Sequence, residues 1–464
     1  MLQLISIFPM LLKIDCFTMG SHMNRHTIAS ACAIAFLLGA RISAQSKSGI
    51  TAEVQAAYPR SEALYIDLHQ HPELSFHETE TAAKLANDIR QLGYEVTTGV
   101  GRVGIVGILK NGPGPTVMLR TELDALPVTE NTGLPFASTV RTKDDAGLDV
   151  GVMHACGHDA HMAAWMGTAR IMAANRGQWR GTLMLIGQPA EELVSGAKAM
   201  ISDGLFTRFP RPDFAIAVHD DARLPAGIVG YHAGPILSNG DAVNIRIFGR
   251  GGHGARPEAT VDPIVIAART VLALQTIVSR ETSPFDPAVI TVGSIHGGTK
   301  NNIIPDEVLL QLTVRSFTDP VRQHLLSAID RIVKAEAAAA GAPREPLIER
   351  ALPVHALVND SALTKRVSAV LIRELGPARA KDTPPEMASE DFSEFQLAGV
   401  PTLMLRIGAV EQGKYDAAMK SGTPLPSLHS SQFAPDREPT IKAAMLAEVL
   451  ALRELMPTGR VAAK

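Results

Sequence analysis

Residues His154 to His161 read HACGHDAH, which combines a cysteine with three histidines and an aspartate. Cys156 and His158 are two positions apart in a glycine-containing loop, so both side chains can reach one metal ion. Cys156 is the only cysteine after residue 44, and a bound ion would mask its thiol. A buried, inert cysteine is the common alternative. The histidines on either side of Cys156 favour the metal site.

Three other parts of the chain offer ligands of the same kind. They are the pair Glu191-Glu192 after an apolar run, His219 after the apolar run 214–218, and His429 in the segment SLHSSQF. Taken singly, a glutamate pair is usually solvated and a lone histidine usually packs or caps. Together with Cys156 and His158, they form the mixed thiolate, imidazole and carboxylate set that transition metals prefer.

The number of these ligands exceeds what one tetrahedral ion requires, so we expect a two-metal centre. Two adjacent glutamates fit such a centre if they divide the work. One carboxylate would bind metal, while the other would take a proton from water and deliver it to a leaving nitrogen. The residues therefore predict a site for water activation.

Composition limits the class of protein to which this site belongs. The chain has 464 residues, 46% of them apolar and 20% charged, with a net charge of −3. This length exceeds what one core usually holds, so two domains are expected. The composition is typical of a globular protein, and the lack of a basic excess argues against a nucleic-acid partner.

The amino-terminal segment resembles a secretion signal. Residues 23–44 contain the positive Arg25, an apolar run at 28–40, and small residues before Gln45 in the form of a signal-peptidase site. The run is too short to span a bilayer. We therefore expect a periplasmic or secreted protein with no stable membrane span after signal cleavage. The letters GSHM at 20–23 resemble the remnant of an expression tag, so residues 1–22 are read as vector sequence or as a mis-set start. Residues 1–44 are assigned to a leader outside the fold.

The elements that must position the candidate ligands alternate between strand and helix. Apolar runs predict strands at 104–109, 116–120, 182–186 and 214–218, and helical patterns cover 64–71, 78–92 and 160–174. Strands separated by helices indicate an α/β fold with a mostly parallel sheet and helices on both faces. In such sheets ligands gather beyond the carboxyl ends of the strands, where the candidate residues are expected.

From about residue 234 the pattern changes. Strands are predicted at 241–248, 288–294 and 308–314, and helices at 263–279 and 320–340. Two strand–helix–strand units of this size suit a smaller inserted α+β domain with an antiparallel sheet. We place this insertion at 234–351 and the metal-binding catalytic domain at 45–233 and 352–464. The returning part has a helix at 361–375, a strand at 402–407 and a helix at 438–455.

Several longer motifs follow one another in a fixed order. They are HPELSFHE at 71–78, RTELDALPV at 120–128, HACGHD, PAEE, GRGGHGARP at 249–257, NNIIPDE at 301–307, ASEDF at 388–392 and LHSS. Together they resemble the amidohydrolase branch of the aminoacylase-type metallopeptidase family, which includes hippurate hydrolases, N-acyl-amino-acid amidohydrolases and indole-acetyl-amino-acid hydrolases. The likeness extends from about residue 69 to 455, nearly all of the chain after the leader.

The resemblance implies a role for each candidate residue of the centre. Two divalent metal ions would be bound, with zinc or manganese as the first choices and cobalt or nickel as alternatives. Glu191 would act as general base and acid, and Asp124 would orient a metal-ligating histidine from outside the ligand set. The implied metal ligands, with Cys156 as the bridge, are Cys156, His158, Glu192, His219 and His429.

The inserted domain would contribute to substrate binding. The resemblance implies that His253 reaches a substrate carbonyl or carboxylate, often across a homodimer interface formed by this domain. Asn302 and Arg315 are further substrate-side candidates. Glu122 and Asp220 depart from the family pattern. At position 122 the family usually has an aspartate, and at position 220 it usually has a less acidic residue than aspartate. Because neither is expected to contact the ligand set, both bear on substrate preference.

The implied activity is hydrolysis of the amide bond of N-acyl amino acids, hippurate-like conjugates among them, by a metal-activated water. A dipeptidase or carboxypeptidase of the same family shares every catalytic feature, and differs in the pocket lining. A non-catalytic metal-binding or substrate-binding protein is the third alternative, and the presence of Glu191 speaks against it. Release of glycine from a benzoyl conjugate, compared with release from a dipeptide, separates the first two.

Overall fold

A computed structural model describes residues 49–459 of the chain. The predicted leader at 1–44 lies outside the described residues. The helices are α1 at 49–70, α2 Thr79–Gln91, α3 His158–Ala174, α4 Gly196–Ser202, α5 Leu205–Arg208, α6 Pro263–Thr276, α7 Asp319–Ala339, α8 Ser361–Leu375, α9 Ser393–Leu397, α10 Gln412–Ser421 and α11 Arg437–Leu455.

The strands fall into one large sheet and several smaller ones. They are β1 Glu95–Val100, β2 Gly104–Asn111, β3 Thr116–Glu122, β4 Arg141–Lys143, β5 Asp149–Gly151, β6 Gly181–Gln188, β7 Phe214–Pro225, β8 Val229–Tyr231, β9 Gly234–Leu237, β10 Asn239–Phe248, β11 Gly252–His253, β12 Ala288–His296, β13 Ile303–Ile304, β14 Glu307–Ser316, β15 Leu347–Val354, β16 Leu357–Asn359, β17 Ala380–Asp382 and β18 Thr402–Val410.

The largest sheet has eight strands in the order β1-β2-β6-β3-β7-β18-β8-β17. Its centre is parallel, since β3 pairs in parallel with β6 and β7, and β7 with β18. The strands β2, β3 and β6 are buried along most of their length because helices cover the sheet. The predicted α/β class with a mostly parallel sheet is therefore confirmed.

The second sheet is antiparallel throughout, in the order β12-β14-β10-β15. Side chains of α6 and α7 pack with β10 and β14 in a hydrophobic cluster that includes Val243, Ile245, Ile266, Leu310 and Ile329. Each of these two helices begins after a residue whose side chain caps it. The carboxylate of Asp262 accepts the N–H of Ile264, and the Thr318 hydroxyl accepts the N–H of Val321. The domain boundaries remain a prediction.

One helical stretch of this region, Pro263–Glu281, has the length and apolar composition of a membrane-crossing helix. It consists of α6 and a following π-helical turn, Ile277–Glu281. Ile266, Ala267 and Leu274 on its inner side belong to the hydrophobic cluster of the second sheet. This packing accounts for part of its apolar composition without a membrane.

The strand β7 is longer than its apolar run predicts. The sequence favours an end at Val218, whereas the strand continues to Pro225 and places His219 within it. The cause is β18, which continues the parallel ladder and pairs Arg406 with His219 and Ile407 with Asp220. Polar residues remain in a strand when a neighbour satisfies their backbone groups. The predicted strand-end position of His219 is therefore wrong.

Candidate metal centre

The structure brings the five predicted metal ligands together. The Sγ atom of Cys156 lies 3.6 Å from Nε2 of His219 and 3.2 Å from Nε2 of His429. The Nε2 atom of His429 lies 3.4 Å from Oε2 of Glu192. The other oxygen of Glu192 lies 4.0 Å from Nε2 of His158. Cys156 thus lies between the two histidines from distant parts of the chain, as a bridging ligand requires.

Two unusual backbone conformations, at Gly157 and at His429, help to position the predicted ligands. Gly157 has a φ of 82° and precedes α3, so the chain turns sharply between Cys156 and His158. A Cβ atom at this position would lie 2.5 Å from Oδ2 of Asp220, which leaves room only for glycine. His429 adopts a φ of 66°, and its N–H donates to the carbonyl of Ala155 at 2.8 Å. That bond ties the loop of His429 to the turn of Cys156.

Asp124 orients His158 through its main chain more closely than through its carboxylate. The Nδ1 atom of His158 donates to the Asp124 carbonyl at 2.7 Å, while the carboxylate lies 3.6 Å away. The carboxylate instead accepts the N–H of Glu192 at 2.9 Å and the hydroxyl of Ser75 at 2.6 Å. Because Nδ1 donates to this carbonyl, the neutral form of the His158 imidazole has its lone pair at Nε2, where a metal could bind it.

His219 is oriented by Asp220 and, behind it, by His161. The Nδ1 atom of His219 donates to the Asp220 carbonyl at 2.9 Å, and the N–H of Asp220 donates to Nε2 of His161 at 2.8 Å. The Nδ1 atom of His161 lies 3.1 Å from the Glu122 carboxylate. The expectation that Asp220 does not contact the ligand set is therefore wrong, since its backbone holds a ligand histidine.

The chemistry of these donors fits divalent cations. Among the residues that the structure describes, Nε2 of His158 and Oε1 of Glu192 are buried polar atoms without a hydrogen-bond partner. Buried polar atoms are normally paired, so their convergence indicates a site for a cation. Two triads, Cys156 with His158 and His219, and Cys156 with Glu192 and His429, each have their ligand atoms within 4.8 Å of one another. The shared member of both triads is Cys156.

The electrostatics of the centre also favour positive charge. Burial by itself would lower the pKa of His158, yet the hydrogen bond of Asp124 and the charges of Glu122, Asp124 and Glu192 raise it to about 9. His219 differs, because burial and the neighbouring His161 lower its pKa to about 3. Its imidazole is therefore neutral near pH 7, which is the form that binds metal.

Glu191 lies beside the predicted ligands, and with His158 and Glu192 it forms a further group whose ligand atoms lie within 4.8 Å of one another. Its Oε2 atom is 3.9 Å from Nε2 of His158, and the residue is 6% exposed. Burial, followed by the charges of Glu390 and Glu192, raises the pKa of Glu191 well above its usual value. A buried carboxyl whose pKa is raised toward neutrality can both accept and donate a proton.

A cavity of about 890 Å³ opens onto this centre. Glu191, Glu192, Cys156, His219 and His429 are among the residues that line it. The remaining lining combines apolar and charged side chains, namely Leu237, Met404, Leu425 and Leu428 with Asp221, Arg223, Glu386 and Arg406. A volume of this size holds a small organic molecule.

The predicted substrate-side residues divide into two groups. Arg315 lines the cavity, and its Nη1 donates to the Met387 carbonyl at 2.8 Å and to the Ser389 hydroxyl at 2.9 Å. His253 and Asn302 do not line this cavity, and both are exposed. The described chain therefore brings Arg315 to the cavity and leaves His253 and Asn302 outside it. The roles of all three remain predictions.

A buried ionic network beneath the centre was not anticipated from the sequence. Arg120, which is fully buried, donates to Gln188 at 2.9 Å and to Glu390 at 2.7 Å, and also to Glu122. Asp391 lies 3.4 Å from the same guanidinium. One signal was available, because an arginine interrupts the apolar strand β3 and a buried charge requires partners.

Known proteins resemble this chain in sequence and in fold. The profile of the peptidase family M20/M25/M40 matches residues 118–420. Thermostable carboxypeptidase 1 of Saccharolobus solfataricus is 37% identical over 82% of this chain and 92% of its own length. Hippurate hydrolase of Campylobacter jejuni is 36% identical over 71% of this chain and 82% of its own length.

A solved structure adds a likeness in three dimensions. The YXEP protein of Bacillus subtilis, described as a dinuclear metal binding peptidase, superimposes with a TM-score of 0.69 and 28% identity. The match covers 86% of this chain and 98% of that one. The profile match and the two relatives extend over the motifs from HACGHD to PAEE, so the resemblance drawn from these motifs is confirmed. On these grounds the chain belongs to the peptidase family M20/M25/M40 and is a hydrolase of its amidohydrolase branch.

Proposed function

We propose that this protein hydrolyses the amide bond between an acyl group and an amino acid, with Glu191 as general base and acid. The observation that carries the proposal is the place of Glu191. Its buried carboxyl lies 3.9 Å from the ligand nitrogen of His158 and faces the cavity. A carboxyl in that position can take a proton from a water at the centre and pass it to the departing amine.

We assign two divalent ions to Cys156, His158, Glu192, His219 and His429, with Cys156 as the bridging ligand. When bound, such ions supply Lewis acidity that lowers the pKa of a water molecule toward 7 and stabilises negative charge. The thiolate suits zinc or another soft ion, while the carboxylate also admits manganese. Asp124 contributes by holding His158 and the N–H of Glu192 in place.

The cavity and the relatives support the proposed substrate class. Apolar side chains of Leu237, Met404 and Leu428 offer a surface for an acyl group, and Arg315 offers a cation in the same cavity. Hippurate hydrolase and an IAA-amino acid hydrolase of Arabidopsis thaliana, 34% identical, are named for such conjugates. An N-acyl amino acid with an apolar acyl group is therefore the proposed substrate.

A homodimer would complete the substrate site. His253 is exposed and lies outside the cavity of its own chain, so its proposed contact with substrate requires a second copy or a movement of the inserted domain. Apolar side chains are exposed along α6 and at β12, namely Ile264, Val265, Leu272 and Ile295. Exposed apolar side chains on two elements of the same domain support such an association. Periplasmic or secreted localisation, inferred from residues 23–44, belongs to the same proposal.

The experiment removes metal with a chelator and restores one metal at a time. Each form is assayed against benzoyl-glycine, other N-acyl amino acids, dipeptides and longer peptides. Hydrolysis of the N-acyl amino acids that returns with a divalent ion is the expected result. Restored metal occupancy without hydrolysis of any of these compounds would leave a binding protein as the better account.

A second candidate rests on the likeness to thermostable carboxypeptidase 1. A carboxypeptidase would release the last residue of peptides and turn over benzoyl-glycine slowly by comparison. The same panel distinguishes the two activities through the ratio of kcat/KM values, since specificity is a difference in transition-state binding. We place N-acyl amino acids first because the apolar wall lies within the same cavity as Glu191.

A further inference from the structure

The loop that carries Glu191 and Glu192 has an uncommon backbone. Ala190 on one side has a φ of 49°, and Val194 on the other has a φ of 47°. Left-handed conformations are rare for residues other than glycine, and most of all for β-branched ones. Such conformations persist where the surrounding structure holds them. The loop therefore depends on contacts with neighbouring elements.

Glu78 supplies the contact at the first of these residues. Its Oε1 atom accepts the N–H of Ala190 at 2.7 Å. The residue is 0% exposed and stands directly before α2, at the end of the motif HPELSFHE. Ala190 is held on its other side as well, because its carbonyl accepts the N–H of Ser195 at 3.3 Å and of Gly196 at 3.2 Å.

The far end of the glutamate pair has a separate anchor. The N–H of Glu192 donates to the carboxylate of Asp124 at 2.9 Å. Glu191 therefore lies in the sequence between Ala190 and Glu192. The backbone N–H of each of these neighbours donates to a buried carboxyl from another part of the chain. We expect the loss of either anchor to change the direction in which the Glu191 side chain leaves the backbone.

We propose that Glu78 is a positioning residue, whose carboxyl sets the backbone of Ala190 and thereby the place of the Glu191 carboxyl. The inference rests on the proposed role of Glu191 as general base. Glu78 does not line the cavity, so it acts through the loop and not by touching substrate. Two motifs far apart in the sequence, HPELSFHE and PAEE, are joined by this one hydrogen bond.

Glutamine is the matched replacement at this position. Burial and the charge of Asp124 raise the pKa of Glu78 to about 8, so its carboxyl is largely neutral at pH 7, as an amide is. The amide oxygen of glutamine can accept the same N–H. Alanine removes the acceptor and leaves the buried N–H of Ala190 without its partner.

The experiment compares Glu78→Ala, Glu78→Gln and Glu73→Ala in the metal-loaded enzyme. Glu73 lies in the same motif, where its carboxylate accepts the N–H groups of Glu80 and Thr81 at the start of α2, so its loss weakens a helix end without touching the loop. For Glu78→Ala we expect kcat to fall by about 100-fold, as for other small displacements of catalytic groups, with KM unchanged. Glu78→Gln should restore kcat, and Glu73→Ala should keep it.

Three further readouts separate positioning from general damage. Metal content should remain unchanged in all three variants. The limb of the pH–kcat profile that reports Glu191 should shift only in Glu78→Ala. Amide hydrogen exchange in residues 188–196 should accelerate only in that same variant. Wild-type kcat in Glu78→Ala, or a Glu78→Gln as impaired as the alanine variant, overturns the inference. Failure of the proposed function is recognised separately, by full turnover in Glu191→Gln, and the exchange readout does not depend on it.

Discussion

The Sγ atom of Cys156 lies 3.2 Å from Nε2 of His429, although 273 positions separate the two residues in the sequence. The contact depends on a left-handed histidine, whose N–H is held by the carbonyl of Ala155 next to the cysteine. One backbone hydrogen bond thus brings together the turn at the start of α3 and a loop from the last part of the chain. The contact places Cys156 in a second candidate triad, with Glu192 and His429, besides its triad with His158 and His219.

Replacement of Glu191 by glutamine should abolish most turnover and keep the metal. We expect kcat to fall by about 10²–10⁴-fold, the usual contribution of general acid–base catalysis. The neighbouring Glu192→Gln is the matched control, because it removes a proposed ligand and should lower metal content. Steady-state kinetics and metal analysis of both variants test the division of work, and metal loss in Glu191→Gln would contradict it.

Replacement of Cys156 by alanine should reduce metal content together with rate. The thiolate is the shared member of the two ligand triads, so its loss weakens both. Met162 is fully buried in α3, and the variant Met162→Leu is the control. The protein that carries this change should keep its full metal content. Metal titration followed by elemental analysis measures the effect. Full occupancy of two ions in Cys156→Ala would rule out the bridging role.

Replacement of Arg120 by alanine should destabilise the fold strongly. The change removes the guanidinium that pairs with the buried carboxylates of Glu122 and Glu390, and breaking a buried pair costs about 3–5 kcal/mol. Arg170→Ala is the control, since its pair with Asp88 at 2.9 Å is partly exposed and is expected to contribute about 0–1 kcal/mol. Denaturant unfolding gives both free energies. Equal losses would show that the network does not act as a buried ion cluster.

Glu448 should make stability fall as the pH rises. Burial raises its pKa to about 8 in the folded protein, while an unfolded glutamate titrates near about 4.3. Between these values the unfolded chain has released the proton that the folded chain keeps, so the free energy of unfolding decreases with pH across this window. Below it the group contributes no slope.

The variant Glu448→Gln should remove this slope and stabilise the protein near pH 8, by an amount on the order of 1–3 kcal/mol. Thr168→Val removes the hydroxyl that donates to the carboxyl at 2.6 Å. Because that hydrogen bond lowers the pKa, its loss should extend the falling window to higher pH. Unfolding curves at several pH values measure these slopes, and identical slopes in wild type and Glu448→Gln would refute the assignment.

Sequence patterns predicted the elements well where apolar periodicity was clear. The helix predicted at 361–375 matches α8, and the strand predicted at 116–120 lies within β3. Short or polar elements such as β8 and β17 were not predicted, because three residues carry too little periodicity. The extension of β7 past Val218 was missed for a related reason, since its polar residues are kept in the sheet by β18.

The sequence by itself determined which residue types are available for metal chemistry, because HACGHD, the glutamate pair and two isolated histidines are local patterns. It also determined the family, since the order of the motifs is a property of the chain alone. Only the tertiary structure decided which atoms meet. The main-chain carbonyls of Asp124 and Asp220 orient two of the predicted ligand histidines, and the contacts of backbone groups cannot be read from residue types. Contacts such as those of Arg120 with Glu390, and of Glu78 with Ala190, depend on how distant segments pack.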